Sequence, residues 1–101
     1  MTDTPKGYIV GEIDVHDPAG FADYRNAVTP LLEQFGGRYI VRGGNVIGME
    51  GDAPWGRIVI IEFASAAMAE AFLRSPEYAP IGAIRHKTSS SRLFIIEGVD
   101  L

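Results

Sequence analysis

Glu12 and Glu62 are carboxylates set inside otherwise apolar runs, YIVGEIDV over 8–15 and RIVIIEF over 57–63. Acid groups in such surroundings need cationic partners, or they take up protons instead. Arg38 and Arg42 of the RYIVR segment point to the same side in an alternating register and are the expected partners. The four residues can form an acid/base or anion-binding cluster. An interfacial ion-pair network is the more economical assignment, since buried pairs often serve register rather than catalysis. Arg42 also opens the run Arg42-Gly43-Gly44. Glycines expose backbone N–H groups to anions, but no helix N-terminus follows, so this is no phosphate loop of the usual sort. A strand-breaking bulge accounts for the glycines. It also leaves the planar fork of Arg42 able to meet a carboxylate-bearing ligand.

Tyr24, Tyr78, Arg85 and His86 form a second group. A histidine titrates near neutral pH and can act as a general base, yet Arg85-His86-Lys87 also reads as a basic helix end favoured by the macrodipole. The two tyrosines carry hydroxyls that need partners when buried, so either can double as a ligand contact. Phe72 reads as core. Trp55, in the turn GDAPWG, has little local core to enter and is expected to pack on a partner subunit or to lid a cavity. His16 reads as a solvated loop residue. Two histidines far apart give no ligand spacing for a metal, so neither a metal nor a cofactor is expected.

The elements that position these groups are organised around Arg57–Phe63. Its run Ile58-Val59-Ile60-Ile61 is β-branched throughout and bounded by Gly56 and by Ala64-Ser65, which makes it a strand buried on both faces. Tyr8–Val15 alternates as a first strand, with Ile9, Ile13 and Val15 on one side and Tyr8, Val10, Glu12 and Asp14 on the other. Asp17-Pro18 starts a helix. Phe21, Tyr24, Val28, Leu31 and Phe35 give this helix one apolar face. Pro30 should disturb its last turn, and Gly36-Gly37 stops it. Arg38–Arg42 is the second strand. Asn45–Glu50 reads as extended and β-leaning, and Gly51–Gly56 as a turn. Ser65 caps a helix over Ala66–Arg74, Ser75-Pro76 starts an irregular one over Glu77–Lys87, Thr88–Ser91 reads as a polar loop, and Arg92–Glu97 as the last strand.

The resulting order, βαββαβ, predicts an α+β, ferredoxin-like fold over residues 1–101, with a four-stranded antiparallel sheet in the order 4-1-3-2. Both helical segments then cross one face. The other face carries Val10, Ile58, Ile60, Phe94 and Ile96 with nothing in the chain to cover it, a large patch for a monomer. A second copy packed sheet to sheet is the expected solution, with Glu12, Arg38, Ile58, Ile60 and Glu62 at the interface.

Bulk properties narrow the function classes. At 101 residues, 47% hydrophobic and 22% charged, the chain suits one ordinary globular domain. A net charge of −4 with scattered basic residues argues against a nucleic-acid partner. The absence of cysteine excludes disulfides, thiolate chemistry and cysteine zinc sites. The start, MTDTPKGY, lacks signal-peptide features, and no apolar run approaches the roughly 20 residues that span a bilayer. A cytoplasmic protein without a membrane partner is expected.

Tyr24, GGRY at Gly36–Tyr39, RGG at Arg42–Gly44 and EG at Glu50-Gly51 occur in that order, followed by EF at Glu62-Phe63, SPEY at Ser75–Tyr78 and EG at Glu97-Gly98. In this the chain resembles the bacterial family catalogued as domain of unknown function 1330, within the dimeric α+β barrel superfamily. The resemblance spans about Tyr8 to Val99. It implies a homodimer whose two sheets form a barrel, and it carries no established reaction. Related barrel families include cofactor-free monooxygenases, lactone isomerases and haem-degrading enzymes. The expectation is a cofactor-free enzyme acting on a small carboxylate- or enol-bearing substrate, with Tyr24, Tyr78 and His86 as catalytic candidates and Arg42, Arg85 and Trp55 binding substrate. A non-catalytic metabolite-binding dimer and a purely structural dimer are the rivals. A concave space with convergent polar groups separates the first two from the third.

Overall fold

A computed structural model of the protein describes residues 4–99. The elements are β1 (Gly7–Val15), α1 (Pro18–Gln34), β2 (Arg38–Arg42), β3 (Arg57–Phe63), α2 (Ala66–Arg74), α3 (Tyr78–Thr88) and β4 (Ser89–Glu97). They form one antiparallel sheet in the order β2-β3-β1-β4, with β1 and β3 central, as the element order predicts.

Local chemistry sets the helix boundaries. The Asp17 carboxylate accepts the Gly20 N–H at 3.1 Å, and the Ser65 hydroxyl accepts the Met68 N–H at 3.1 Å. At the end of α1 the Gly37 N–H bonds the Leu32 carbonyl at 2.8 Å and the Gly36 N–H bonds that of Glu33 at 3.0 Å. This paired closure requires Gly36 to turn left-handed, and its φ is +79°. Pro30 does not end α1, although it removes one interior N–H. Pro80 lies in the first turn of α3, where an N–H has no helical partner in any case, so the helix expected to be irregular is a continuous one.

Three stretches differ from expectation. The polar run 88–91 is no loop, because α3 passes directly into β4. The Thr88 hydroxyl donates to the Ile84 carbonyl at 2.7 Å and the Ser89 hydroxyl to the Arg85 carbonyl at 2.6 Å. Ser89, Ser90 and Ser91 then pair with Val15, Asp14 and Ile13 of β1. Residues 45–50 join no strand and belong to the long connection between β2 and β3. The bulge in β2 falls between Tyr39 and Val41, at Ile40, and not at the glycines.

The core lies between the sheet and the helices. Ile9, Ile61 and Phe63 from the strands meet Val28, Leu31 and Leu32 of α1 and Ala69 and Phe72 of α2. Leu32 belongs to this buried face although the expected stripe passes it by. On the opposite face Val10 sits between Ile60 and Phe94, and Tyr8 between Glu62 and Ile96. Phe94 and Ile96 are each 53% exposed there, and no helix of the described residues covers them.

Phe72 ties the core to the tyrosine region, with ring centroids 5.5 Å from Phe63, 5.7 Å from Phe35 and 5.0 Å from Tyr78. Phe72→Ala should lower unfolding stability by about 3–5 kcal/mol through the lost apolar transfer and the cavity left behind. Urea denaturation checks this, and a loss under about 1 kcal/mol would contradict the packing described.

Candidate functional site

A cleft opens between the helix-bearing face of the sheet and the helices. Its empty space is about 590 Å³, including the part open to solvent. The sheet supplies an apolar wall of Ile9, Ile13, Val59 and Ile61, and the helices supply Phe21, Tyr24, Phe72 and Tyr78. Arg25, Arg42, Arg57 and Tyr39 also line the cleft. The cleft is thus hydrocarbon and aromatic inside, with cations at its rim.

Arg42 reaches this cleft because of the bulge. Arg38 lies opposite Glu62 and Val41 opposite Ile60, but the unpaired Ile40 between them shifts the alternation by one residue. Arg42 consequently falls opposite Val59, on the helix-bearing face, and its guanidinium lies 4.3 Å from the centre of the Tyr39 ring. It therefore does not join Arg38 beside the two carboxylates, as simple alternation predicts. Arg57 lies opposite Ile13 and packs against Gly43. The φ of +68° at Gly43 is left-handed and favours glycine there, while the Arg57 guanidinium 2.6 Å from an added Cβ is the mobile end of a long side chain and could move aside. None of Arg25, Arg42 and Arg57 has a carboxylate partner among the described residues.

Deeper in, three side chains form a hydrogen-bonded chain. The Tyr24 and Tyr78 hydroxyls are 3.1 Å apart, and Arg85 Nε donates to the Tyr78 oxygen at 3.3 Å. Arg85 also bonds the Ser91 hydroxyl and lies 3.1 Å from His86 Nε2. Burial raises the Tyr24 pKa, the adjacent Tyr78 raises it further, and Arg85 opposes the shift in part. Tyr24 accordingly stays a protonated donor across the physiological range. His86 is exposed and does not line the cleft, so its one contact here is with Arg85.

Glu12 and Glu62 lie on the helix-free face; Glu62 pairs with Arg38 as expected, whereas Glu12 is held by Arg92 and backbone N–H groups instead. Glu62 takes Arg38 at 2.9 Å, the Tyr8 hydroxyl at 3.4 Å and Lys6 at 3.9 Å. Glu12 pairs with Arg92, whose Nε is 2.8 Å away, and accepts the backbone N–H groups of Trp55 at 2.6 Å and Gly56 at 3.3 Å. Trp55 does not lid the cleft. It is 50% exposed, with the Arg92 guanidinium 5.6 Å from its ring centre.

Sequence reasoning passed over Arg25 and Arg57. The parity Arg57, Val59, Ile61, Phe63 places Arg57 on the buried side, a signal present in the sequence but outweighed by its position at a strand end. Among the described residues no group of three or more His, Asp or Glu could hold a metal ion, and no helix is long and apolar enough to cross a membrane.

A four-stranded antiparallel sheet with helices on one face and a cationic, aromatic cleft beneath them defines an α+β, ferredoxin-like protein. The chain belongs to the family described as a domain of unknown function, DUF1330, whose model matches residues 6–99. No curated protein matches it. Among solved structures it is similar to a protein of unknown function from Rhodopseudomonas palustris, at 18% identity and a TM-score of 0.75, covering 99% of this chain and 87% of that one. SnoaB, a cofactor-independent oxygenase from Streptomyces nogalater, matches at 17% identity and a TM-score of 0.64 over 97% of each chain. A conserved protein of unknown function from Bacteroides thetaiotaomicron, described as a possible oxidoreductase, matches at 14% identity and a TM-score of 0.55, covering 93% and 98%. At these identities the likeness shows the fold.

Desolvation raises the Glu12 pKa, but the Arg92 hydrogen bond, the Gly56 and Trp55 N–H groups and the Arg92 charge outweigh it, leaving the value below the ordinary 4.5. A depressed carboxyl stabilises the fold fully above its unfolded pKa, and that contribution disappears as pH falls through the folded value. Trp55 is the chain's one tryptophan, so its fluorescence reports the event. The expected acid transition has a midpoint below 4.5, and Glu12→Gln should remove it. A midpoint at or above that value contradicts the anchoring role.

Proposed function

We propose that the cleft binds a small organic anion, a carboxylate- or enol-bearing molecule with an apolar body, and that the protein acts on it by cofactor-free chemistry as a homodimer of the dimeric α+β barrel type. One observation carries the reading: three arginines without carboxylate partners among the described residues border an apolar, aromatic cavity. Cations left unpaired beside low-dielectric walls attract an anion more strongly than they would in open water. The hydrocarbon and ring surfaces below favour a flat or bulky apolar body. Among the described residues no carboxylate or imidazole lines the cleft. The assigned chemistry is therefore stabilisation of an anionic form of the substrate by fixed donors, not proton removal by a wall residue. The fold shared with a cofactor-independent oxygenase supports the reaction class.

The dimer rests on the helix-free face. Val10, Ile58, Ile60, Phe94 and Ile96 make it apolar, and the Glu12–Arg92 and Glu62–Arg38 pairs flank it. A twofold, self-complementary contact buries such a face at no cost in added chain. Ile60→Lys should yield soluble monomers or aggregate, and a well-folded wild-type monomer at micromolar concentration in sedimentation would defeat the assembly.

The binding reading is tested by titration calorimetry with 2-naphthoate and its neutral counterpart, 2-naphthamide, at low salt. The acid should bind and the amide should bind far more weakly. Arg42→Lys should keep the fold and weaken binding of the acid by about 1–3 kcal/mol, because an ammonium cannot reproduce a planar fork. Equal binding of acid and amide, or no binding of either, overturns the anion site.

A further inference from the structure

Arg85 is only 6% exposed, yet it has no carboxylate partner among the described residues. A guanidinium cannot escape burial by losing its proton, so its charge persists inside the fold. Its nitrogens meet only side chains without formal negative charge: the hydroxyls of Ser91 and Tyr78 and the imidazole of His86.

Arginine only donates, so the Tyr78 oxygen accepts from Arg85. The Tyr78 and Tyr24 hydroxyls lie 3.1 Å apart and either can donate in that contact. With Tyr78 donating, Tyr24 accepts and keeps its own hydrogen for whatever occupies the cleft, and this is the arrangement an anion anchor at Tyr24 uses. Successive donation polarises each O–H in such a chain.

We infer that the buried Arg85 charge, relayed through Tyr78 and Tyr24, builds a second anion anchor on the inner wall of the cleft, which takes the ionised oxygen of a phenol or enol. The inference rests on the proposed reading of the cleft and refines its ligand class. The ligand then carries a carboxylate toward the arginine rim and an ionisable hydroxyl at Tyr24. Arg85 is a positioning residue here, since Tyr24 is the group that touches the ligand. Burial keeps Tyr24 protonated, which suits a donor. The ionisable or charged groups lining the cleft are Arg25, Arg42, Arg57 and the tyrosines Tyr24, Tyr39 and Tyr78, so no wall carboxylate opposes a bound phenolate.

The test uses 4-nitrophenol, whose phenolate absorbs in the visible, with 2-naphthoate binding measured on the same protein. Bound to the wild type, 4-nitrophenol should ionise at a pH lower than in free solution by on the order of one unit. The rim arginines alone would lower it as well, so the decisive variants are Tyr24→Phe and Arg85→Gln, in which the rim is intact. Each should return most of the shift, a spectroscopic change that loss of packing alone would not produce in the bound phenol. Should Arg85→Gln fail to fold, as a thermal melt would reveal, Tyr24→Phe decides by itself. If 2-naphthoate binds but 4-nitrophenol does not bind, or ionises as it does in free solution, the inner anchor is overturned and the rim reading stands. An unchanged shift in Tyr24→Phe also overturns it. If 4-nitrophenol shows a Tyr24-dependent shift while 2-naphthoate fails to bind, the anchor is supported and the rim reading falls.

Discussion

A strand offers its side chains two directions and no third, and that constraint sorts the polar residues of this protein. Along β1 and β3, odd-numbered residues enter the helix-covered core and even-numbered ones face away. Glu12 and Glu62 are even, and both sit on the helix-free face with Arg92 and Arg38. Arg57 is odd and borders the cleft. Arg42 would follow Arg38 to the helix-free side but for the extra residue at Ile40, which exchanges the two faces for the rest of β2. The bulge therefore moves Arg42 from the face of the ion pairs to the face of the cleft.

The separation has an electrostatic consequence. The chain as a whole is acidic, with a net charge of −4, and its paired cations are Lys6, Arg38, Arg74 and Arg92. The arginines without carboxylate partners among the described residues, Arg25, Arg42, Arg57 and Arg85, gather at or behind the cleft. Walls of low dielectric strengthen the field of those charges at the cavity's interior. The local sign is thus opposite to the global one, and composition gives no indication of it.

The connection over residues 43–56 is held at its ends rather than along its length. The Gly43 N–H bonds the Ile58 carbonyl at 2.8 Å at one end, and Glu12 receives the Trp55 and Gly56 N–H groups at the other. Between them Val46, Ile47 and Met49 are exposed, Met49 at 85%. Glu12 therefore works as an anchor for backbone, and this explains a carboxylate in an apolar strand without assigning it any part in catalysis.

Element types and strand order were legible in the sequence because each rests on local chemistry. β-Branched runs favour strands, Asp17 and Ser65 cap helices through their own side chains, and Gly36 supplies a left-handed turn. The helix-free apolar face followed from alternation alone. Other features depended on partners distant in the chain. The run 88–91 looked like a loop by composition, yet helix carbonyls satisfy Thr88 and Ser89, and β1 pairs with Ser89–Ser91. Tyr24 and Tyr78 stood out individually, but their contact spans 54 positions, and only packing of α1 against α3 creates it. The bulge at Ile40 leaves no mark in residue type, because it arises from how β2 meets β3. The sequence by itself determined which segments are helix or strand and which sheet face is apolar; tertiary structure decided which arginines stay unpaired, since charge pairing depends on distances that residue order does not encode.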